Sequence, residues 1–211
     1  MTIIKKPKII ENESFRIIRS EIGEHDFSDD ERTIAVRVIH ATADFDFRDT
    51  LTFHPQAVEA GIKALQAGRP IVTDVHMVNV GISHRHLARL GGTKVCDIRH
   101  PAVRRAAQQA GETRSTMAMR RNADLIDGGI VAIGNAPTAL LEVIRLVQED
   151  EIQPALIVGV PVGFVNTVES KEALLDLDVP YITSRGRKGG STVAVSIVNA
   201  LMRLALEKQA G

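Results

Sequence analysis

The sequence predicts an α/β fold with three layers, in which helices cover both faces of one sheet. Five short apolar runs have the length of buried strands, and they lie at residues 70–73, 94–98, 129–133, 155–160 and 180–183. Stretches with helical periodicity separate these runs, and such alternation is typical of a parallel sheet. Neither an internal repeat nor a low-complexity linker interrupts the pattern, so we expect one domain over residues 1–211. Five strands in one domain favour an open, flavodoxin-like parallel sheet in a three-layer α/β/α arrangement.

The first part of the chain predicts helices. We expect residues 1–10 to form an arm and residues 13–22 to form a short amphipathic helix. Residues 29–44 contain enough β-branched side chains to form a strand, but they follow a capping box. In this motif the Ser28 hydroxyl accepts the amide of Glu31, while the Glu31 carboxylate accepts the amide of Ser28. The sequence therefore predicts a helix here, with its apolar residues on one face.

The remaining helices alternate with the predicted strands. Their apolar residues recur three and four positions apart, which is the spacing of one helical face. We expect these helices at residues 55–65, 78–90, 102–110 continuing into 115–126, 138–148, 170–177 and 191–208.

Composition excludes several classes of protein. The 26 basic and 26 acidic residues cancel, which argues against a nucleic-acid-binding domain dominated by phosphate contacts. Cys96 is the only cysteine, so an internal disulfide and a multi-cysteine metal site are excluded. The first ten residues lack the apolar core of a signal peptide, and no apolar run approaches the roughly 20 residues that span a bilayer. We therefore expect a cytoplasmic protein that binds neither nucleic acid nor a membrane.

His40 is the candidate proton donor. It follows the apolar stripe of the capped helix and falls in its last turn. Carbonyl dipoles at the end of a helix favour a cation, and an imidazolium near neutral pH is a proton donor. A surface histidine that happens to lie near a helix end is the alternative that these residues alone leave open.

Ligands of open α/β sheets bind beyond the carboxyl ends of the strands. At the end of the third predicted strand, Pro137 fits the first position of a helix, and free amides with the Thr138 hydroxyl would face the cleft. These groups would bind a carboxylate or carbonyl of a ligand. A well-capped helix without a ligand is the alternative.

A second candidate anion site follows the fifth predicted strand. Residues 184–191 contain three cations and three glycines and precede a long helix with Ser191 at its cap. Glycines let the backbone form an anion-binding concavity, and the helix dipole adds positive potential. The GxxxxGK[ST] spacing of a Walker loop is absent, so the anion could be phosphate or carboxylate, and a solvated basic loop is the alternative. Arg114, Ser115 and Arg121 add polar groups to another helix, where a charged solvent face is equally consistent.

Taken together, these motifs resemble the precorrin-8X methylmutase (precorrin isomerase) family, which includes the cobalt-precorrin-8 methylmutases. The matching segments follow in order from about residue 14 to residue 201: VIHAT at 38–42, PIVTD at 70–74 with Met77-Val78 and Gly81-Ile82, TRS at 113–115, AIGNAPTAL at 132–140, GVPVGFV at 159–165, ESK at 169–171, GRKGGS at 186–191 and NAL at 199–201. Two places depart from the family pattern. Asn166-Thr167-Val168 stands where small residues are usual, and Lys188 often has an arginine counterpart.

The resemblance implies an isomerase of cobalamin biosynthesis that moves a methyl group from C-11 to C-12 of precorrin-8X and gives hydrogenobyrinate. It implies no cofactor and no protein-bound metal, a tetrapyrrole substrate, and a homodimer with its active sites near the interface. His40 matches the catalytic histidine of the family, a proton donor to the macrocycle.

The family's substrate carries many carboxylates, which gives the polar and cationic residues of the matched segments a role in binding it. The expected substrate-binding residues are Ser14, Arg16, Thr42, Asp74, Met77, Arg114, Ser115, Arg121, Asn135, Thr138, Arg187, Lys188, Gly190 and Ser191. Two alternatives stay open: a cobalt-precorrin-8 methylmutase that gives cobyrinate, and a non-catalytic corrinoid carrier. A third is an unrelated phosphate binder that uses the loop at residues 186–191.

Overall fold

The computed structural model describes residues 5–210 and has one mixed sheet of six strands with helices around it. The strands are β1 Leu51–Phe53, β2 Ile71–Thr73, β3 Lys94–Val95, β4 Ile130–Ile133, β5 Leu156–Gly159 and β6 Tyr181–Ser184. The helices are α1 Pro7–Glu21, α2 Asp29–Thr42, α3 Phe47–Thr50, α4 Ala57–Gln66, α5 His76–Gly81, α6 His84–Arg89, α7 Pro101–Ala110, α8 Arg114–Arg121, α9 Ala123–Ile126, α10 Pro137–Gln148, α11 Thr167–Leu175 and α12 Ser191–Ala210.

The strands lie in the order β1-β6-β5-β4-β2-β3. The five predicted strands all form and pair in parallel, but β1 joins the edge as a sixth strand, antiparallel to β6. The prediction of a flavodoxin-like sheet of five parallel strands is therefore not confirmed as stated. The sequence analysis did not predict β1, because this strand has only three residues. Its partner strand lies about 130 residues further along the chain, so no local sequence pattern indicates the pairing.

Two apolar cores lie on the two faces of the sheet. Alternate residues of β4 divide between them: Ile130 and Ala132 pack with α2, α4 and α12, while Val131 and Ile133 pack with α8 and α10. Side chains of successive strand residues point to opposite faces, so continuous apolar runs are what a sheet covered on both faces requires. The α/β class with helices on both faces follows from that pattern.

Several helix boundaries differ from the prediction. Helix α1 begins at Pro7, which suits the first helical position, so residues 7–10 are helical and only residues 1–4 of the expected arm lie outside the described residues. The helix expected at residues 78–90 is two helices, because Gly81 ends α5 and the Ser83 hydroxyl caps α6 by accepting the amide of His86. Residues 102–126 form three helices, since Gly111 adopts the left-handed conformation that ends α7.

Helix α2 confirms the capping box. Ser28 and Glu31 exchange the expected hydrogen bonds, and Ala43 ends the helix in a left-handed conformation. The apolar face of α2 packs on α12, the longest helix, and Lys208 near the end of α12 forms an ion pair with Asp30 at the start of α2. The two helices are therefore antiparallel, and the C-terminal end of α2 lies beside the first half of α12. Within residues 5–210, no helix is long and apolar enough to cross a bilayer.

Candidate active site

The carboxyl ends of β2 and β4 are joined by one buried carboxylate. Asp74 follows β2 and is fully buried. Its Oδ1 accepts the amide of Gly134 at 3.1 Å, and its Oδ2 accepts the amides of Asn135 and Ala136, each at 2.8 Å. Burial raises the pKa of the Asp74 carboxyl, and the amides of Ala136, Gly134 and Asn135 oppose that shift. The chain therefore supplies its own anion at the N-terminus of α10.

Those amides are the donors that the sequence analysis assigned to a ligand. The substrate-binding role of Asp74 remains a prediction, but the geometry favours a positioning role, since its two oxygens bind the loop that carries Asn135 and Thr138. Asn135 itself is exposed, and its side chain is free to meet a ligand.

The first turns of α8 and α10 lie side by side. The hydroxyls of Thr113 and Thr138 are 3.0 Å apart, and the Thr113 hydroxyl also caps α8 by accepting the amide of Thr116. Arg114 and Ser115 start α8, so this contact brings both next to Thr138. The guanidinium of Arg114 is exposed and has no ion-pair or hydrogen-bond partner among residues 5–210.

The glycine-rich loop lies against the ends of β4 and β5. The amide of Gly190 donates to the carbonyl of Val160 at 2.8 Å. A Cβ at Gly189 would lie 2.4 Å from the same carbonyl oxygen, and a Cβ at Gly134 would lie 2.7 Å from the Cα of Ser191. Only glycine fits either position, so both contribute to the close approach of the loop and the start of α12 to the sheet.

A buried lysine of α11 forms a hydrogen bond with the backbone of this loop. Lys171 is 1% exposed, and its Nζ donates to the carbonyl of Lys188 at 2.8 Å and lies 3.4 Å from the Ser184 hydroxyl. Burial lowers the pKa of Lys171 to about 8, while Glu172 acts in the opposite direction. The sequence analysis matched Lys171 to the family but gave it no role. The sequence carried no apolar stripe that could have revealed its burial, because the buried face of α11 consists of Thr167, Ser170, Lys171 and Leu174.

His40 lies in the last turn of α2, as predicted, and is exposed. Its Nδ1 is 2.7 Å from the Ser14 hydroxyl, and its ring lies 4.9 Å from that of Phe15. Ser14 and Phe15 are successive residues of α1, so α1 orients the imidazole on two sides. The Nε2 atom has no hydrogen-bond partner among residues 5–210. In the imidazolium form Nδ1 donates to the Ser14 oxygen, and the second ring hydrogen lies on Nε2, which is left to donate to a ligand.

A two-carboxylate clamp ties the end of α2 to the glycine-rich loop. Lys188 Nζ lies 2.6 Å from a carboxylate oxygen of Asp44 and 2.6 Å from one of Asp46. These hydrogen bonds raise the pKa of Lys188 and lower that of Asp44. His40 is four residues before Asp44, which follows the left-handed residue that ends α2. The geometry therefore places the predicted proton donor and the predicted anion-binding loop on neighbouring parts of the surface.

Comparison with known proteins places the chain in a family. The sequence profile described as precorrin-8X methylmutase matches residues 9–204. The chain belongs to the precorrin-8X methylmutase family. A cobalt-precorrin-8 methylmutase from Priestia megaterium is 48% identical over 200 residues, covering 95% of this chain and 89% of the relative. A precorrin-8X methylmutase from Sinorhizobium sp. is 38% identical over 202 residues, covering 95% and 96%.

A solved structure agrees. The precorrin-8x methyl mutase from Thermus thermophilus has a TM-score of 0.89 and 43% sequence identity, with 95% of this chain and 97% of that chain covered. The methylmutase resemblance is thus confirmed over nearly the whole chain, and the chain is a methyl-shifting isomerase of cobalamin biosynthesis.

Several of the residues expected to bind substrate in the methylmutase are engaged within the chain. Arg16 pairs with Glu13 at 2.6 Å, and Arg121 pairs with Asp97 at 2.9 Å. The Thr42 hydroxyl donates to the carbonyl of Val38. A ligand would have to compete with these partners, as it would at Lys188. Their role in binding substrate remains a prediction.

Other residues expected to bind substrate are accessible to a ligand. Arg187 is exposed, and its guanidinium lies 5.4 Å from the centre of the Phe164 ring, a cation–π contact. Ser191 is half-buried at the start of α12, directly after Gly190. Met77 is 71% exposed and belongs to a set of exposed apolar residues near the carboxyl ends of β2 and β5: Met77, Val80, Val162, Phe164 and Val165. We call this set the apolar rim.

Proposed function

We propose that this methylmutase moves a methyl group from C-11 to C-12 of precorrin-8X and forms hydrogenobyrinate. The relatives carry two names: those called cobalt-precorrin-8 methylmutase are 39% to 48% identical, and those called precorrin-8X methylmutase are 38% and 40% identical. Conversion of cobalt-precorrin-8 to cobyrinate is therefore the second candidate. The bond that breaks and the bond that forms are the same in both reactions, and the cobalt belongs to the substrate.

We propose His40 as the proton donor. The observation that carries this role is the fixed position of its ring: Ser14 lies 2.7 Å from Nδ1 and Phe15 packs on the ring, while Nε2 has no hydrogen-bond partner among residues 5–210. A proton or strong hydrogen bond given to a nitrogen of the macrocycle draws electrons from the conjugated system. The methyl group at C-11 then migrates to C-12 more readily. Reactant and product have the same composition, so the proposed reaction requires neither oxidant nor reductant.

Substrate carboxylates have partners around the strand ends. The open donors are the guanidiniums of Arg114 and Arg187, the hydroxyls of Ser115 and Ser191, and the Asn135 amide, whereas the Thr138 hydroxyl is shared with Thr113. Charged hydrogen bonds to carboxylates are roughly twice as strong as neutral ones, and arginine binds both oxygens at once. We assign these groups to positioning, and we assign the chemical step to His40.

Replacing His40 by alanine tests the proposal. General acid catalysis contributes about 10²–10⁴-fold, so His40→Ala should slow conversion by that factor. Corrinoid binding should persist, because the positioning groups remain. The assay follows the absorbance change from precorrin-8X, or cobalt-precorrin-8, to the corrin product.

His54→Ala is the matched control. His54 follows β1 and packs on Tyr181 at the amino end of β6, so it lies at the opposite edge of the sheet from the strand carboxyl ends. That variant should convert substrate at the wild-type rate. A His40→Ala protein that folds and turns over at that rate would contradict the assignment. Wild-type protein that binds both substrates and converts neither would favour a corrinoid carrier.

We also propose a cytoplasmic homodimer whose subunits meet at the apolar rim. Phe164 is 84% and Val80 is 77% exposed, and apolar side chains this open are typical of surfaces covered by a partner. The rim borders the proposed substrate site, so a second copy would help to enclose a large flat ligand. Sedimentation equilibrium of the wild-type protein tests this, and a monomer at micromolar concentration would contradict it.

A further inference from the structure

A surface pocket beside His40 carries more positive charge than its own residues neutralise. It holds about 190 Å³ between α2, α6 and α12. Its walls are formed by Arg37, His40, Ala41, Ser83, His86, Ser196, Asn199 and Arg203. The pocket adjoins the proposed proton donor, but none of its cations Arg37, His86 and Arg203 belongs to the methylmutase motifs named above.

The polar groups without partners in this pocket are cations or ring nitrogens. Arg203 has neither a hydrogen bond nor an ion pair among residues 5–210. Arg37 has one distant carboxylate, Glu11 at 3.9 Å, and its guanidinium lies 5.0 Å from the centre of the Phe15 ring. The Nδ1 atom of His86 is buried without a partner. A buried polar atom in this state costs free energy until a ligand or water satisfies it.

The neutral polar groups of the pocket are already satisfied. The Ser196 hydroxyl donates to the carbonyl of Thr192. The Asn199 side chain accepts the amide of Ser83 and donates to the carbonyl of Gly81. None of these groups accepts a hydrogen bond from Arg37 or Arg203 among residues 5–210, so an acceptor for the two arginines has to come from a ligand or from water.

The like charges of the pocket repel one another. Burial lowers the pKa of Arg37, and the neighbouring Arg203 and Arg19 lower it further, while Glu11 and Glu207 oppose this. Burial also lowers the pKa of His86, with Arg203, Arg85, Arg89 and Arg37 acting in the same direction. A bound anion would remove this repulsion, because it would lie between the cations.

We propose that this pocket binds one carboxylate of the corrinoid substrate and thereby fixes the macrocycle against His40. His40 is one of the residues that line the pocket. A carboxylate side chain of the macrocycle that enters the pocket would therefore hold the macrocycle next to the imidazole. The inference rests on the proposed function, since that function supplies a ligand rich in carboxylates. It adds a second anchor on the α2–α12 side, away from the glycine-rich loop.

Arg203→Met tests the proposal, because methionine keeps much of the apolar stem and removes the charge. The probe is hydrogenobyrinate, and its dissociation constant is measured by absorbance titration. Loss of a charged hydrogen bond should raise the dissociation constant about 10–100-fold. KM should rise with it, and kcat should change less than in His40→Ala. The control is Arg105→Met, which removes an exposed arginine from α7 on the other face of the sheet.

Three outcomes decide between the inference and the function on which it rests. A raised dissociation constant for Arg203→Met with an unchanged Arg105→Met supports the pocket. If the wild type converts substrate and a folded Arg203→Met variant binds hydrogenobyrinate with an unchanged dissociation constant, the pocket proposal is wrong but the proposed function stands. If that variant does not fold, a crystal structure of the wild-type protein with hydrogenobyrinate replaces it, and a complex without a carboxylate near Arg203 overturns the pocket. Absence of turnover in the wild type instead sinks the proposed function.

Discussion

Asp74 should stabilise the strand-end loop more than any single residue that faces the substrate. It is fully buried, and its three hydrogen bonds to Gly134, Asn135 and Ala136 satisfy amides that otherwise have no partner at the start of α10. In Asp74→Asn, the amide oxygen can keep the two bonds to Asn135 and Ala136. The new NH₂ group then faces the N–H of Gly134, and neither can accept a hydrogen bond.

The magnitude follows from the bonds that are lost. One buried N–H without a partner costs about 1–3 kcal/mol, and the two remaining bonds weaken because the acceptor is neutral. Removing the buried charge offsets part of this loss. We therefore expect Asp74→Asn to lower the free energy of unfolding by about 2–3 kcal/mol. Asp74→Ala leaves all three amides without partners and should lower it by about 4–6 kcal/mol, a large fraction of the total for most domains.

Urea denaturation measures the free energy of unfolding, with the transition followed by far-ultraviolet circular dichroism. Folded Asp74→Asn should also lose activity, since the loop that positions Asn135 and Thr138 loses its fixed shape. Hydrogenobyrinate should bind it more weakly than it binds the wild type. If both variants unfolded within about 0.5 kcal/mol of the wild type, the reasoning from these hydrogen bonds would be refuted.

Two further predictions concern stability. Lys171→Met removes a buried amine whose pKa is about 8 in the folded protein and 10.5 as the reference value. Below the pKa of the folded protein, the amine is charged in both the folded and the unfolded state. Above that pKa the folded state loses the proton first. From about pH 7 to about pH 9.5 the free energy of unfolding of the wild type should therefore rise by about 2 kcal/mol relative to that of the variant. Urea denaturation at both pH values measures this change. A difference that does not depend on pH would show that the pKa of Lys171 is not lowered. Ser28→Ala removes the cap of α2 and should cost about 1 kcal/mol, whereas Ser20→Ala in exposed α1 should cost less than about 0.5, and equal losses would contradict the capping role.

The sequence allowed the parallel strands to be predicted because each is a continuous apolar run. A strand buried on both faces has no polar positions, so its sequence pattern is local and complete. β1 has no such pattern, since Thr52 and Phe53 are only half-buried, and it pairs through β6 alone. The end of helix α5 at Gly81 could not be predicted from the local sequence either. A Cβ there would lie 2.5 Å from a side-chain atom of Val195, a contact more than 110 residues away in the sequence.

For the site, the motifs predicted which residues gather at the strand ends but not how they are paired. Charge type can be read from the sequence, whereas the partner of each charge depends on the fold. The sequence analysis treated Lys188 and Arg121 as open cations, and the structure shows each of them against a carboxylate. The sequence analysis did not single out Arg203, which is a cation without a partner among residues 5–210.

These pairings bear on how a chain without net charge can hold a ligand rich in carboxylates. Three acidic residues near the proposed site have partners within the chain: Asp74 accepts hydrogen bonds from backbone amides, and Asp44 and Asp46 share Lys188. In the proposed complex, Arg114, Arg187 and Arg203 would contact the ligand from two different helices and a loop. Cations fixed at separate points can orient a flat macrocycle, whereas a single basic patch would leave it free to rotate. His40 lines one pocket with Arg203, so in the proposed complex a carboxylate bound there would determine which edge of the ring faces the proton donor.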